Sequence, residues 1–304
     1  MELIVQPDDG LDPVLKAIKR ARTSLDIIIF RFDLKPVEKA IEAAVGRGVV
    51  VRALIAHTNS GGERRLRQLE QRMLDAGVTV SRTADDLVRY HGKMLIVDRT
   101  QFHIFGFNYT SLDLKSRSFG LVCRDRRGAL EAVRLFEADA TKREFEPALD
   151  LLVVSPENAR EQLATFIKRA RKQLLIWDPK ISDRQMIRLL QQRAKAGVEI
   201  RVIGKMAKRS SDTIQVARFA GKRLHVRAMV RDGDTAFVGS QSLRALELDG
   251  RREVGLLTKD AKVVKRLSEI YEADWAKTDV AAKLSKKEQK EESEEPALAT
   301  AASR

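Results

Sequence analysis

Apolar and polar residues follow two alternating periodicities along the chain. A run at 25–30 that is apolar except for Asp26 is typical of a strand that is buried on both faces. Apolar residues recur every three or four positions at 36–45 and 63–76, which is typical of amphipathic helices. Two short runs at 93–97 and 102–107 flank a turn and predict a β-hairpin. The pattern therefore predicts an α/β fold with mixed sheets.

The same succession of elements occurs twice. The segment at 18–22 recurs unchanged at 167–171, which is 149 residues later. A repeat of about 140 residues is a duplicated domain, because solenoid repeats have periods of about 20–50 residues. We place the first repeat at 1–148 and the second at 149–280. The remaining segment, 281–304, is charged and then alanine-rich, and is predicted to be a disordered tail.

A histidine-centred motif lies at matching places in the two repeats. In each copy a basic residue lies two positions after the histidine, an aspartate seven after, and a small polar residue seventeen after. The first copy comprises His91, Lys93, Asp98 and Asn108, and the second comprises His225, Arg227, Asp232 and Ser242. Because the chain has only four histidines, two of them at equivalent positions indicate a shared function.

The motif predicts phosphodiester chemistry. Residues two apart on a strand point to the same face, so each histidine projects together with its cation. If the repeats pack about a pseudo-twofold axis, the two pairs converge on one pocket, with Asn108, Ser240 and Ser242 as hydrogen-bond donors. Cations and donors would stabilise charge on the non-bridging phosphate oxygens. One imidazole could attack phosphorus while the other protonates the leaving oxygen.

Both motifs resemble the signature of the phospholipase D superfamily, His-x-Lys-x4-Asp followed by Gly-Ser/Gly-x-Asn, and the likeness covers about residues 1–278. The resemblance implies two homologous α/β/α sandwich halves related by a pseudo-twofold axis. It also implies a two-step mechanism through a covalent phosphohistidine, without a metal or other cofactor. By this resemblance, His91 is expected to be the nucleophile and His225 the general acid. The expected catalytic set also contains Lys93, Arg227, Asn108, Ser240, Glu253, Asp98 and Asp232.

Several positions depart from the family pattern. Arg227 replaces the second lysine, and a planar guanidinium is not equivalent to an ammonium at a tight phosphate site. Ser242 stands where asparagine is usual. The family often places a carboxylate after the motif to orient the histidine, and Glu253 is expected to serve His225. For His91, either Asp113 or another carboxylate has this role, or this histidine is less firmly oriented. Asp98 and Asp232 lie at predicted hairpin turns, where a structural role is the alternative.

The composition favours an anionic partner. Lysine and arginine exceed aspartate and glutamate by 14, which suits a nucleic acid, an anionic membrane surface or a phosphate ester. Lys205, Lys208 and Arg209 precede the second motif and are predicted to contact substrate phosphate; a solvated charged surface is the alternative. A single cysteine and scattered histidines exclude an intrachain disulfide and argue against a zinc site. The N-terminus shows no signal-peptide pattern, so we expect a cytoplasmic location.

Three functions fit these features. The first is hydrolysis or transfer of a phosphatidyl group, as in phospholipases D and cardiolipin synthases, favoured by the single-chain tandem format and by a last helix containing Trp275. The second is a metal-independent endonuclease, favoured by the positive charge. The third is a degenerate module that binds anionic lipid or DNA without turnover. Peripheral contact with an anionic membrane is an expected interaction. No obligate protein partner is expected, because a monomer holds both half-sites.

Overall fold

The computed structural model describes residues 1–29, 32–57, 63–207 and 213–280, and within them strands alternate with helices as the apolar pattern predicts. The predicted disordered tail at 281–304 lies outside these residues. The first half contains β1 (Glu2–Gln6), α1 (Asp12–Arg20), β2 (Ser24–Ile29), α2 (Lys35–Gly46), β3 (Val50–Ile55), α3 (Glu63–Asp75), β4 (Thr79–Arg82), β5 (Arg89–Tyr90), β6 (Met94–Val97), β7 (Gln101–Phe105), α4 (Ser111–Leu114), β8 (Ser118–Cys123) and α5 (Arg126–Thr141). The second half contains β9 (Leu152–Ser155), α6 (Ala159–Lys168), β10 (Gln173–Ile181), α7 (Arg184–Lys195), β11 (Glu199–Met206), β12 (Ile214–Ala217), β13 (Arg227–Arg231), β14 (Thr235–Gly239), α8 (Ala245–Asp249), β15 (Arg251–Thr258) and α9 (Ala261–Trp275).

Each half is built around a mixed sheet, and the two sheets have the same topology. The first has the order β4-β3-β2-β6-β7-β8-β1, and the second has the matching order β12-β11-β10-β13-β14-β15-β9. Strands β2, β3 and β4 are parallel, as are β10, β11 and β12, and the other neighbours within these two orders are antiparallel. The short strand β5 of the first half pairs with β15 of the second. The predicted fold of two homologous α/β/α halves is confirmed, with one strand exchanged between them.

The hydrophobic core has three parts. One packs α1, α2 and α3 against the first sheet, and another packs α6 and α7 against the second. The largest lies between the two sheets and includes residues of α5 and α9. Apolar burial therefore joins the halves as well as stabilising each of them.

Trp275 belongs to this central core. Its side chain is only 9% exposed, and its ring stacks on Tyr271 with a centroid separation of 6.0 Å. The guanidinium of Arg201 lies 5.4 Å from the Trp275 ring centre. The indole is therefore covered by protein, so the presence of Trp275 in the last helix does not favour a phospholipid substrate.

The two motif aspartates fix hairpin turns. Asp98 and Asp232 have φ angles of 52° and 53°, in the left-handed region that tight hairpin turns require. The carboxylate of Asp98 accepts hydrogen bonds from the backbone N–H groups of 22–24, and that of Asp232 from those of 171–173. Both lie at the far ends of β6 and β13 from the motif histidines. The structure thus corrects the inclusion of these aspartates in the catalytic set, since their carboxylates serve the backbone.

Candidate active site

The first motif histidine is held by a strand of the other half. Strand β5 runs parallel to the start of β15, and the backbone N–H of His91, immediately after β5, donates to the carbonyl of Arg252 at 2.8 Å. Lys93 follows on the same face and is 1% exposed. Its ammonium lies 3.0 Å from Nε2 of His91 and donates to the His91 carbonyl at 2.6 Å. The predicted His–Lys pair therefore exists as a buried unit.

The second motif histidine is held in the reciprocal way. The backbone N–H of His225 donates to the carbonyl of Arg117 in the first half at 2.9 Å. The hydroxyl of Ser118 donates to the carbonyl of His225 at 3.0 Å. Each histidine is thus anchored to the strand that follows the other motif.

Two buried arginines lock these anchoring strands across the interface. Each arginine binds an aspartate of the opposite half, together with one backbone carbonyl and one further carboxylate. Arg252 binds Asp139 at 3.0 Å, the carbonyl of Ser155 at 3.0 Å, and Glu157; Arg117 binds Asp274 at 3.1 Å, the carbonyl of Gln6 at 3.1 Å, and Asp8 at 3.4 Å. We call them the interdomain arginine pairs. Their reciprocity is that of a self-complementary twofold interface.

The carboxylates that serve the histidines are also exchanged between the halves. Nδ1 of His91 lies 2.9 Å from Oε2 of Glu253, and Glu253 is completely buried. The expectation that Glu253 orients His225 is wrong, because β15 of the second half passes beside the first histidine. A carboxylate accepts hydrogen bonds only, so Nδ1 of His91 donates and Nε2 is left with its lone pair.

Burial and charge set the protonation states of this pair. Burial opposes ionisation of Glu253, but the charge and hydrogen bond of His91 and the charge of Lys93 outweigh it and lower the pKa of Glu253 to about 2. Burial lowers the pKa of His91 to about 4, against the opposing effect of Glu253. Burial likewise lowers the pKa of Lys93 to about 7. At neutral pH, His91 is therefore a neutral imidazole beside an ionised carboxylate.

The two half-sites lie within electrostatic range of each other. The charge of Arg227 contributes to the lowered pKa of both His91 and Lys93. Burial and then Arg227 lower the pKa of His225, and Lys93 of the first half adds to this effect. Arg227 and Lys93 therefore affect the pKa of both histidines, as expected if the two half-sites form one site.

The second histidine has a looser carboxylate partner. Oδ1 of Asp113 lies 3.5 Å from Nδ1 of His225, which is beyond the range of a good hydrogen bond. Asp113 instead accepts hydrogen bonds from the backbone and side-chain amides of Asn108 at 2.8 and 2.6 Å. It also pairs with Arg223 at 2.6 Å. Asp113 was expected beside His91, and the structure places it beside the other histidine.

The two predicted serine donors belong to different half-sites: Ser240 hydrogen-bonds Glu253, the partner of His91, and Ser242 contacts Arg227. The hydroxyl of Ser240 accepts from the backbone N–H of Val254 at 3.1 Å. Nε of Arg227 donates to the hydroxyl of Ser242 at 3.3 Å, while its Nη1 is buried without a hydrogen-bond partner among the described residues. The small residue at 242 therefore leaves room for the longer arginine at 227, which accounts for both departures from the family pattern together.

The predicted phosphate contacts before the second motif are only partly described. Lys205 lies at the exposed end of β11, and among the described residues no hydrogen bond or ion pair connects its ammonium to the motif histidines. Lys208 and Arg209 lie outside the described residues. A role for these three side chains in binding substrate stays a prediction.

The sequence contained a signal for the interdomain arginine pairs. Arg117 and Arg252 occupy matching positions, as do Asp139 and Asp274 at the ends of α5 and α9. Charged residues repeated at buried positions of a duplicated domain indicate a contact between the copies. Asp178, which is 2% exposed and accepts from the backbone N–H of Leu243 at 2.7 Å, has no such signal, because Ile29 stands at its position in the first repeat.

Two general properties bear on the site. Within the described ranges, no helix has the length and apolar character needed to cross a membrane. Likewise, in the described part of the chain no group of three or more histidine, cysteine, aspartate or glutamate side chains is arranged to hold a metal ion.

Comparison with solved structures places this arrangement among known folds. The chain is similar to polyphosphate kinase from Porphyromonas gingivalis (20% identity, TM-score 0.75), covering 90% of this chain but only 50% of that one. It is also similar to phosphatidylserine synthase from Haemophilus influenzae Rd KW20 (10% identity, TM-score 0.66), covering 89% of this chain and 84% of that one. At these identities, the likeness shows the fold alone.

Family comparison is more specific. None of the curated proteins compared matches the chain. The family model described as "Cardiolipin synthase, PLD-like domain" matches residues 14–139 and 163–275, one match in each half. These matches contain both histidine motifs and cover most of the chain. The chain therefore belongs to the family of cardiolipin synthase phospholipase D-like domains.

Proposed function

We propose that the protein is a phospholipase D-type phosphodiesterase or phosphatidyltransferase that acts on a phospholipid through a covalent phosphohistidine. The observation that carries this proposal is the unequal support of the two histidines. His91 is held by Glu253 at 2.9 Å, whereas His225 lies 3.5 Å from Asp113. A nucleophile must be fixed in one tautomer and orientation, while an acid must be able to gain and lose a proton.

In the first step, Nε2 of His91 attacks phosphorus and the bond to the leaving oxygen breaks. His225 gives that oxygen a proton, so the leaving group departs as a neutral alcohol. Lys93 and Arg227 stabilise charge on the non-bridging oxygens. Burial and the charges of Arg227, Arg223 and Lys93 lower the pKa of His225. Binding of the anionic diester offsets these three charges, so the substrate itself favours the protonated acid.

In the second step, neutral His225 takes a proton from water or from an acceptor alcohol. The oxygen of that molecule attacks phosphorus, the P–N bond breaks, and His91 is restored. Water gives hydrolysis and an alcohol gives transfer. The phospholipid assignment is supported by the description of the matched family model.

A nucleic-acid phosphodiester is the second candidate substrate, and the net charge of +14 favours it. The degenerate binding module is the third alternative, and it predicts salt-sensitive binding without turnover. Retention of both histidines and both cations supports catalysis over this alternative.

The test is turnover of a chromogenic phosphodiester in excess EDTA by wild type, His91→Asn and His103→Asn. His103 is also a buried histidine, and it lies on β7 away from the motif carboxylates, so its variant controls for loss of a buried imidazole. We expect EDTA-resistant activity that only His91→Asn abolishes. Phosphatidylglycerol micelles and DNA are then compared as natural substrates. Activity that persists in His91→Asn would exclude this histidine as nucleophile.

A further inference from the structure

We propose that the second half carries a separate, non-catalytic site that binds phosphate groups. It is a cavity of about 560 Å³, which we call the basic groove, and its cations are Lys168, Arg169, Arg171, Arg193 and Arg231. A neighbouring cavity of about 250 Å³ shares Arg169 and Arg231 and extends the groove to Lys259. The ligand class is a phosphate monoester or polyphosphate, either free or as an exposed lipid headgroup.

The positive charge of the basic groove is not neutralised by its own acidic residues. The carboxylate of Asp232 is occupied by three backbone N–H groups. Asp234 accepts from the hydroxyl of Thr235 and approaches Arg231 only to 4.0 Å. Among the described residues, no carboxylate lies within ion-pair distance of the other four cations. Other arginines of this half do have such partners, for example Arg160 with Asp183 at 2.8 Å.

The floor of the basic groove is preorganised. Arg231 is 12% exposed, and its guanidinium lies 4.9 Å from the ring centre of Phe166. One end donates to the hydroxyl of Thr235 at 2.9 Å. Nε of Arg193 is buried and has no hydrogen-bond partner in the described ranges. A guanidinium held in place presents a planar set of donors that matches phosphate oxygens.

The first half shows that the fold does not require these charges. The positions of Phe166, Arg193 and Arg231 are occupied there by Ala17, Ala44 and Val97, all of which are buried. The rim cations are retained as Lys19, Arg20 and Arg22. The charged floor is therefore a property of the second half alone, superimposed on a shared architecture.

The basic groove is distinct from the active site. Arg231 ends β13, whereas His225 precedes its start, and the five-residue strand from Arg227 to Arg231 spans roughly 13 Å. A single phosphodiester cannot reach both ends. None of the large exposed apolar residues of the described chain lines the groove, which favours a polar phosphate group over an acyl chain as the bound part of the ligand.

The experiment is calorimetric titration of pyrophosphate into the full chain carrying Lys93→Met, which removes an active-site phosphate contact. Loss of a charged hydrogen bond costs about tenfold or more in affinity. We therefore expect Arg193→Ala with Arg231→Val, which reproduces the first-half residues, to weaken binding at least about tenfold. A second, triple variant tests whether the rim cations contribute to binding and leaves the floor unchanged: Lys168→Gln/Arg169→Gln/Arg171→Gln. The matched control is Lys19→Gln/Arg20→Gln/Arg22→Gln, for which we expect no change.

Equal loss in the rim variant and its matched control would overturn the proposal, because it would show unspecific attraction to a basic protein. Unchanged binding in both groove variants would also overturn it. Vesicles of phosphatidylcholine with and without phosphatidic acid distinguish a headgroup from a free phosphate as the source. Made in the wild-type chain with Lys93 intact, the groove variants are expected to retain turnover of the chromogenic diester, so failure of this proposal is distinguishable from failure of the proposed function.

Discussion

Replacing Arg252 with methionine removes the cation that accompanies a buried carboxylate across the interface between the halves. Asp139 is 2% exposed; its Oδ1 binds Arg252, and its Oδ2 has no hydrogen-bond partner among the described residues. Breaking a buried ion pair from one side costs about 3–5 kcal/mol, because the remaining charge is uncompensated. We expect a loss of this size in the free energy of unfolding at pH 8.

The same substitution should cost less in acid. Burial raises the pKa of Asp139 to about 7, against the opposing charge of Arg252. An acid whose pKa is raised by folding contributes stability that is present at low pH and lost as pH rises through that pKa. At pH 5 Asp139 is protonated in the folded wild type, so the substitution should cost about 1–2 kcal/mol, the size of ordinary hydrogen bonds.

The assay is urea unfolding followed by circular dichroism at both pH values, with two companion variants. Arg124→Met breaks the pair with Glu2, in which both side chains are 54% exposed, and should cost less than about 1 kcal/mol. Arg252→Met with Asp139→Leu replaces the buried pair by apolar groups and should recover most of the stability. The reasoning is refuted if Arg252→Met costs no more than Arg124→Met, or if the double variant is no more stable than the single one.

Three further predictions concern catalysis. Glu253→Gln should lower kcat by about 10²–10⁴-fold, as loss of a histidine-orienting carboxylate does elsewhere, whereas Asp113→Asn should have a smaller effect; steady-state kinetics that show equal losses would contradict the assigned roles. His225→Ala should retain the first-turnover burst of p-nitrophenol from a p-nitrophenyl diester, whose leaving group needs no proton, but lose steady turnover and lose cleavage of an alkyl diester, whereas His91→Ala should lose the burst as well; the reverse result would exchange nucleophile and acid. For the p-nitrophenyl diester, which needs no acid, the pH profile of kcat/KM should have its acid limb near pH 4, because the buried His91 must be neutral to attack, and its alkaline limb near pH 7, where Lys93 loses its charge; an acid limb near 6.5 would show that burial does not lower the pKa of His91.

Much of the fold follows from local pattern. The alternation of apolar runs and amphipathic segments gives the order of strands and helices, and the repeat gives the division into halves. The turn after Asp232 is evident because Asp-Gly adopts the left-handed conformation easily. The exchange of β5 was not predictable, because a two-residue strand has no periodicity of its own.

The sequence predicts which residues form the site better than it predicts which of them contact each other. Both histidines, both cations and Asn108 follow from the repeated spacing. The partner of Glu253 does not, because spacing along one chain cannot show that β15 passes beside the histidine of the other half. The burial of Trp275 could not be predicted for a similar reason, because the sequence of the last helix does not show which of its faces packs against the other half.

The exchange of carboxylates between the halves has a consequence for how such a protein can change over time. After a duplication, two copies usually drift apart independently, but here each copy completes the other's chemistry. A substitution at Glu253 in the second copy removes or changes the hydrogen bond to His91 in the first. The residues of the two copies at the interface therefore cannot change independently of each other. Residues on surfaces away from this interface can differ between the two copies. The floor of the basic groove is charged in the second copy and apolar in the first, so the two copies differ there.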